Sequence, residues 1–271
     1  MSFLKLESKR FLVFGVANKK SVAYHIVEML LGEGAAVDLV VQNELIADKV
    51  RALFPKQSVF ICNVENEESI KSLSVSLREH VDGGGLSSYS GLVHSVAFAD
   101  YSDGMKPFHD TPKRAFMQAL DISCFSLISI SCQLRDLLTK DASVVTISIS
   151  TTRMASENYG FMAPIKAALD SSLAFLVKSF SEFSEIRFNA VGPGLLKTSS
   201  SAGIPGYADS YIFAEQVIPR KRALATEEAA ATAIFLLSPR SSGINAQKII
   251  VDAGMEINYF DKNIVKNLNI P

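Results

Sequence analysis

Cysteine is scarce in this chain, and the spacing of its cysteines argues against disulfide bonds and structural zinc sites. The 271 residues include three cysteines, Cys62, Cys124 and Cys132, an odd number without a CxxC pair. A disulfide framework or a zinc site is therefore not expected, and a reducing cytoplasm is the default location. Histidines do not stand with carboxylates at metal-ligand spacing either. We therefore predict no metal site and expect structural thiols.

Strong charge and long apolar runs are also missing. The net charge is −1, which provides no electrostatic footprint for nucleic acid. No run of about 18 apolar residues predicts a membrane span. The N-terminal stretch MSFLKLESKRFLVFG has charges inside its apolar run, unlike a signal peptide. With 48% hydrophobic residues, the composition predicts one globular domain over residues 1–271 with a sizeable core.

Apolar runs of strand length alternate with helical patterns along the whole chain. Such runs, apolar on both faces, are typical of parallel strands covered by helices. The alternation predicts an α/β fold, a Rossmann-type doubly wound parallel sheet of about seven strands. The strand candidates are residues 10–15, 35–41, 58–64, 91–98, 143–150, 186–192 and 248–254. The helical candidates lie near residues 21–33, 44–53, 66–79, 111–138, 161–179 and 226–237, the last capped by Thr226.

Two segments depart from this alternation. Residues 80–90, HVDGGGLSSYS, are predicted to form an exposed loop. Residues 195–222 are too long for an ordinary connection. Because long ordered loops beside α/β sheets often close over a site, we expect this segment to cover a substrate.

The first strand runs into a glycine turn without the GxGxxG pattern of many dinucleotide sites. Gly15 stands where the chain turns from strand to helix, followed by Ser21 and Ala23. A residue without Cβ lets backbone approach a pyrophosphate, and a helix N-terminus favours its negative charge. As a free-standing pattern this is weak, since a glycine before a helix is often only a turn. Its place, between the first strand and first helix, strengthens the interpretation.

The adenosine end of this site has polar candidates but no acidic residue. The second strand ends at Gln42, where a carboxylate would have bound a ribose hydroxyl. Lys19 and Lys20 can attract a 2′-phosphate and favour NADPH, or form a solvated basic loop. Asn63 can reach an adenine ring, or simply end the third strand. Small side chains at Ser95 and the two positions after it suit a neighbouring cofactor, but also any buried strand.

The most informative pair is Tyr159 and Lys166, seven residues apart. Two helical turns bring such residues to nearly the same face. A nearby ammonium draws the phenol pKa down from about 10 toward the working range. The pair can hold a carbonyl oxygen during hydride transfer, or be a buried aromatic beside a solvated lysine. Pro164 lies between them, and the helix can begin there, with Tyr159 on the preceding loop.

These motifs resemble the short-chain dehydrogenase/reductase superfamily, and within it the bacterial enoyl-acyl-carrier-protein reductases of type II fatty-acid synthesis. Ordinary superfamily members carry Tyr-x-x-x-Lys, whereas this chain has Ala163 at the lysine position. The enoyl reductases place lysine seven residues after tyrosine and use G-x-x-x-x-x-S-x-A, which matches Gly15, Ser21 and Ala23. Further similar stretches are residues 41–43, 93–99, 120–126, 187–198 and 251–254.

The resemblance implies a role for each matching position. Tyr159 would hydrogen-bond the thioester carbonyl and stabilise the enolate. Lys166 would bind the nicotinamide ribose and supply positive charge. The other cofactor contacts would be Gly15, Ser21, Val22, Gln42, Asn63, Val64, Ser95, Val96, Leu195, Leu196, Lys197, Thr198 and Ser199. Ala99, Ile149 and Tyr159 would face the substrate. The resemblance also implies NADH as cofactor, with NADPH open, an acyl-carrier-protein-bound enoyl thioester as substrate, and a homotetramer.

The chain departs from the family at several positions. Ile149 replaces a second tyrosine, which makes the site wall more apolar, and Asn63 replaces an aspartate. Ala97 and Ala253 replace glycines. These departures leave two alternatives beside NADH-dependent enoyl reduction. One is a short-chain reductase acting on a ketone or alcohol, and the other is a nucleotide-binding paralogue with little activity.

Overall fold

A computed structural model describes residues 2–83, 88–155, 160–204 and 206–267. One sheet of seven strands runs through them in the order β3-β2-β1-β4-β5-β6-β7, and every neighbouring pair is parallel. The strands are β1 (Arg10–Phe14), β2 (Ala36–Val41), β3 (Val59–Ile61), β4 (Tyr89–His94), β5 (Leu138–Ile147), β6 (Arg187–Pro193) and β7 (Lys248–Val251). The predicted fold class and all seven strands are confirmed.

The predicted helices are also present. They are α1 (Val22–Gly32), α2 (Glu44–Leu53), α3 (Glu67–Asp82), α4 (Lys113–Leu120), α5 (Ser126–Leu134), α6 (Met162–Phe180), α7 (Ser199–Ala202), α8 (Tyr207–Val217), α9 (Thr226–Leu237) and α10 (Lys262–Asn267). A π-helical turn, Asp121–Phe125, interrupts the predicted helix 111–138 between α4 and α5. Beside this turn, the Ser126 hydroxyl donates to the Ile122 carbonyl at 2.6 Å.

The strands bury both of their faces, as their continuous apolar runs predict. Leu12 and Phe14 of β1 pack with α3, α4, α5 and α6 on one side of the sheet. Phe11 and Val13 pack with α1, α2 and α9 on the other. This alternation follows from the two-residue period of a strand. Two helical layers therefore cover the sheet and leave its ends as the places for a site.

One helical segment among the described residues, Lys113–Leu137, has the length and composition of a membrane span. Its most apolar window has a mean hydropathy of 1.5, and 50% of that window is buried inside the fold. Ala115, Ala119 and Leu127 of this segment belong to the core, and core helices commonly share this composition. Serines interrupt the segment, so it contains no continuous apolar run of the length that predicts a membrane span.

Two local predictions need correction. Thr226 is the first residue of α9 rather than its cap, because the Glu228 carboxylate reaches back to the Ala225 amide at 2.8 Å. The Arg220 guanidinium also donates two hydrogen bonds of 2.6 Å to the Glu228 carboxylate. These bonds help lower the pKa of Glu228 to about 2. The predicted loop 80–90 is shorter, since α3 extends to Asp82 and β4 begins at Tyr89. Residues 84–87 lie outside the described part.

Residues 195–222 form the predicted excursion at the carboxyl end of the sheet. They contain the short α7 and the longer α8. Ala214, Val217 and Ile218 form a small separate core with Met255. The excursion is thus packed against the chain that follows β7.

Candidate functional site

A cleft opens at the carboxyl end of the sheet, where the strand order reverses between β1 and β4. In doubly wound sheets this crevice is the usual place for a nucleotide. Its cavity volume is about 640 Å³. The predicted site residues that line it are Gly15, Ser21, Val22, Gln42, Asn63, Val64, Ser95, Val96, Ala99, Ile149, Lys166, Leu196, Thr198 and Ser199.

Gly15 is required by its backbone and by its surroundings. Its φ is +91°, where residues with a side chain are strained. A Cβ at this position would lie 2.0 Å from the carbonyl oxygen of Ser95. The chain therefore turns at the end of β1 in a way that only glycine permits, and the turn forms part of the cleft wall.

The N-terminus of α1 provides the positive end of a helix at the same wall. The Ser21 side chain caps the helix by accepting from the Tyr24 amide at 3.3 Å, and it donates to the Asn18 carbonyl at 2.8 Å. The side-chain Nδ2 of Asn18 donates to the Ser199 hydroxyl of α7 at 2.8 Å. The glycine turn and the covering segment are therefore joined, and the arrangement fits a pyrophosphate.

The far end of the cleft is polar without a carboxylate at the predicted position. Gln42 follows β2, and Asn63 comes two residues after β3 ends. The Asn63 side chain accepts from the Glu65 amide at 3.3 Å. Lys19 and Lys20 are exposed and do not line the cleft. The lining residues fit the adenosine half of a dinucleotide.

Lys166 is buried at the floor of the cleft, with 3% of the residue exposed. Its Nζ donates to the Ile147 carbonyl at 2.8 Å. Burial lowers its pKa from 10.5 to about 8, and Asp170 opposes this shift. An ammonium has three donors, so Lys166 can offer both charge and hydrogen bonds to ribose hydroxyls in the cleft.

The catalytic candidate Tyr159 lies outside the described residues, so its role stays a prediction. Helix α6 begins at Met162, and Pro164 stands in its first turn, as the sequence predicts for a proline-started helix. Because α6 begins at Met162, position 159 precedes the helix. The two-turn helical spacing between positions 159 and 166 therefore does not apply.

Two predicted cofactor contacts do not line the cleft. Leu195 packs against the small core formed by α8 and Met255. The ammonium of Lys197 lies 4.2 Å above the ring of Tyr211. Their neighbours Leu196 and Thr198 do face the cleft. In the non-helical part of this segment, residues 195–198, successive side chains alternate in direction, so Leu196 and Thr198 point inward.

Several lining residues were not predicted from the sequence. The Tyr207 hydroxyl joins α8 to the chain after β6, since it donates to the Leu196 carbonyl and accepts from the Leu196 amide, each at 2.9 Å. Its burial raises its pKa to about 12. Other unpredicted members include Ala17, Asn18, Cys62, Phe98, Tyr101, Ile122, Ser148, Met162, Ser201 and Ile204. Most are brought in by tertiary packing, although Ser148 stands beside the predicted Ile149.

His94 is a buried core histidine of β4. Its Nδ1 lies 2.9 Å from the Thr146 hydroxyl, and its Nε2 lies 2.8 Å from the Ser126 hydroxyl. Burial and the nearby Lys166 lower its pKa to about 3. A neutral, doubly hydrogen-bonded imidazole does not serve as a proton donor to the cleft.

Known proteins resemble the chain along most of its length. A profile of the family described as "Enoyl-(Acyl carrier protein) reductase" matches residues 15–256. The enoyl-[acyl-carrier-protein] reductase [NADH] of Nostoc sp. is 35% identical over 94% of this chain and 98% of its own. The corresponding [NADPH] enzyme of Staphylococcus aureus strain MRSA252 is 28% identical over 93% and 98%. A crystal structure of the NADH enzyme from Aquifex aeolicus has a TM-score of 0.88 at 30% identity, covering 94% and 99%.

Proposed function

The chain belongs to the enoyl-acyl-carrier-protein reductase family, and we propose that the cleft between β1, β4 and α6 is its active site. The protein reduces trans-2-enoyl-acyl-carrier-protein thioesters with hydride from NADH. The observation that supports this site best is the buried Lys166 facing the same cleft as the Gly15 turn. The positively charged Lys166 and the proposed pyrophosphate site at Gly15 therefore line the same cleft.

The residues of the cleft fit a nicotinamide dinucleotide, which supplies the hydride when it is bound. Gly15 and the N-terminus of α1 would hold the pyrophosphate. Gln42 and Asn63 would contact the adenosine, and Lys166 the nicotinamide ribose. NADH is the expected cofactor. NADPH is included in the assay below because the Staphylococcus relative is named for it.

Tyr159 is proposed to hydrogen-bond the thioester carbonyl as the enolate develops. This role rests on the sequence, since Tyr159 lies outside the described residues. The positive charge of the buried Lys166 would stabilise both the enolate and a phenolate. Hydride arriving at the β-carbon would place the negative charge on the carbonyl oxygen, next to the proposed phenol.

The substrate end of the cleft is largely apolar and suits an acyl chain. Ala99, Ile149 and Met162 line it together with Tyr101 and Ile204. Ile149 places a half-buried aliphatic side chain where the family usually has a second tyrosine. The polar contacts to the thioester would therefore come from Tyr159 rather than from this wall.

We also infer a homotetramer, a cytoplasmic location and one NAD(P)-binding domain over residues 1–271. Met117, Phe125 and Phe175 lie exposed on α4, the π-helical turn and α6, where another copy of the chain would cover them. The three cysteines are unpaired, which suits a reducing compartment. A single sheet carries every strand of the described residues. Sedimentation equilibrium tests the oligomer, and a monomer at micromolar concentration would contradict it.

A steady-state assay tests the function. NADH or NADPH oxidation is followed with crotonyl and longer trans-2-enoyl thioesters of acyl carrier protein. We expect turnover of enoyl substrates, and a loss of about a hundredfold or more in kcat for Tyr159→Phe. A 3-ketoacyl thioester serves as the control substrate. Carbonyl turnover without enoyl turnover would select a ketone reductase, and tight cofactor binding without any turnover would select a nucleotide-binding paralogue.

A further inference from the structure

A second lysine, Lys248 at the start of β7, lies behind the substrate wall with its ammonium fully engaged. Its Nζ lies 2.8 Å from a carboxylate oxygen of Asp170 on α6. It also donates to the Thr152 hydroxyl at 2.7 Å and to the Ile149 carbonyl at 3.3 Å. The three contacts use the three donors of an ammonium. The pair is largely buried, with side chains 19% and 16% exposed.

The fold keeps space for this lysine through Gly192 of β6. A Cβ at position 192 would lie 3.0 Å from Cδ of Lys248 and 3.1 Å from the Ile149 carbonyl oxygen. Either the lysine stem or the wall would have to move. The absence of a side chain at Gly192 thus allows Lys248 to reach the chain that follows β5.

The other oxygen of Asp170 holds a residue that lines the cleft. The Ser148 hydroxyl donates to it at 2.5 Å, and Ser148 faces the cleft itself. Because its one proton is directed to Asp170, the hydroxyl presents only acceptor lone pairs to a bound molecule. Ser148 in this state does not donate to a thioester carbonyl, which leaves that donation to the proposed Tyr159.

Asp170 also stands one helical turn after Lys166 on the same face of α6. The other titratable groups around Lys166 are His94 from β4 and Cys124 from the π-helical turn. Burial raises the pKa of Cys124 and lowers that of His94, so both are neutral at pH 7. Asp170 is therefore the charged neighbour that favours the protonated form of Lys166 against the effect of burial, and Lys248 pairs with the same carboxylate.

We propose that Lys248 and Asp170 form a positioning pair for the reductase site, and this rests on the proposed function of the cleft. Lys248 anchors the chain that leads through Thr152, seven residues before Tyr159. Asp170 orients Ser148 and balances the charge of Lys166. Neither residue touches substrate, and both act through the residues that do.

The test compares two variants whose effects on the site have opposite signs. Asp170→Asn removes the negative charge that favours the charged form of Lys166. The alkaline limb of the pH profile of kcat/KM therefore moves to lower pH by about one unit. Lys248→Met removes a competing positive charge, so the same limb moves up. Lys248→Met also lowers kcat/KM at pH 7 by about tenfold to a hundredfold, because Ile149 in the cleft wall and Thr152 after it lose their anchor.

Matched controls and a second readout keep the outcome clear. Asp136→Asn and Lys140→Met change the same residue types at exposed positions away from the cleft, and both should keep the wild-type profile. Asp170→Glu should keep the alkaline limb of the kcat/KM profile at the wild-type pH, unlike Asp170→Asn. The pH dependence of the NADH dissociation constant should shift in the same directions as kcat/KM.

Two results would overturn the proposal: equal shifts in both variants, or no shift in either. If Asp170→Asn does not fold, Gly192→Ala provides a further test, since its methyl group would crowd the Lys248 stem and the Ile149 carbonyl and should lower kcat/KM in the same direction as Lys248→Met. A wild-type activity with Gly192→Ala and Lys248→Met would also overturn it. Failure of the wild-type protein to reduce enoyl thioesters would instead count against the proposed function, and the NADH dissociation constants would still test the pair.

Discussion

Two buried polar clusters lie at opposite ends of the same sheet, and they differ in where their partners are. At the amino end, Asp38 of β2 accepts from Tyr89 at 2.9 Å and lies 3.1 Å from His80 and 3.9 Å from Arg10. At the carboxyl end, Lys166 has one hydrogen bond to the chain, at 2.8 Å, among the described residues. In the amino-end cluster, Arg10, Asp38, His80 and Tyr89, both oxygens of the Asp38 carboxylate have partners within the protein, although Nε and Nη1 of Arg10 make no hydrogen bond to the described residues. Lys166, in contrast, faces an open cleft.

This difference separates a polar group that stabilises the fold from one that serves a ligand. A buried charge with partners is tolerated because its hydrogen bonds replace those of water, and removing one partner leaves the others uncompensated. A buried charge with few partners lowers the free energy of unfolding, because burial disfavours the charged form. The same effect shifts the pKa of the group. The lowered pKa of Lys166, about 8, indicates such a cost. We therefore expect the two clusters to respond oppositely to mutation.

The largest effect is expected for Lys166→Met. The cleft loses a positive charge, and kcat/KM for enoyl reduction should fall by about a hundredfold to a thousandfold. The free energy of unfolding should not fall, and it should increase by up to about 3 kcal/mol at pH 7, because folding no longer requires burial of an ammonium. Lys178→Met, an exposed lysine on the same helix, is the control. A large loss of stability with normal kinetics would contradict the assignment of Lys166 to the site.

The opposite pattern is expected for Asp38→Ala in the amino-end cluster. Arg10 and the Tyr89 hydroxyl lose a buried partner, so the free energy of unfolding should drop by about 3 kcal/mol. Denaturant titration measures this change. The kinetic constants should stay at the wild-type values at a temperature where the variant is folded. A selective loss of activity without loss of stability would contradict a purely structural role.

The pH dependence of activity sharpens the contrast further. Lys166 is charged below about pH 8 and neutral above it. The value of kcat/KM should therefore be constant on the acid side of this pKa and fall as the pH rises through 8, by about tenfold per pH unit at the limit. Enzyme-free reactions correct for thioester hydrolysis. A flat profile from pH 7 to about pH 10 would show that this ionisation does not limit catalysis.

The smallest effect is expected for Ile149→Tyr. The side chain is half-buried at the cleft, so a tyrosine can extend toward the substrate. One added hydrogen bond should change kcat/KM by no more than about tenfold. Measurements with short and long enoyl thioesters would show whether the change depends on chain length. A variant that fails to fold would show that this wall is packed differently.

Much of the fold was predictable because each strand is buried on both faces and therefore appears as a continuous apolar run. The runs at 10–15 and 186–192 correspond to β1 and β6 almost residue for residue. Helix ends were less predictable where a side chain from a distant position decides them. Glu228 with Arg220 fixes the start of α9, and the sequence alone favours Thr226.

The cofactor part of the site was predictable where the backbone itself carries the signal. Gly15 is needed for a turn with positive φ, and such a requirement is visible as a residue type at a fixed place after a strand. Leu195 and Lys197 stay predictions: their side chains do not line the cleft, and the side-chain directions of an irregular segment are not encoded in its composition. Lys248 and Asp170 were missed because 78 residues separate two side chains that meet only in the folded protein.

Calorimetric titration with NADH tests most directly whether the carboxyl-end cleft, rather than the amino-end cluster, is the functional site. The dissociation constant is measured for the wild-type protein, Lys166→Met and Asp38→Ala at one pH and temperature. We predict at least about tenfold weaker binding for Lys166→Met, because charge-assisted hydrogen bonds to the ribose are lost, and unchanged binding for Asp38→Ala. Unchanged binding for Lys166→Met, or weakening by Asp38→Ala alone, would contradict the account.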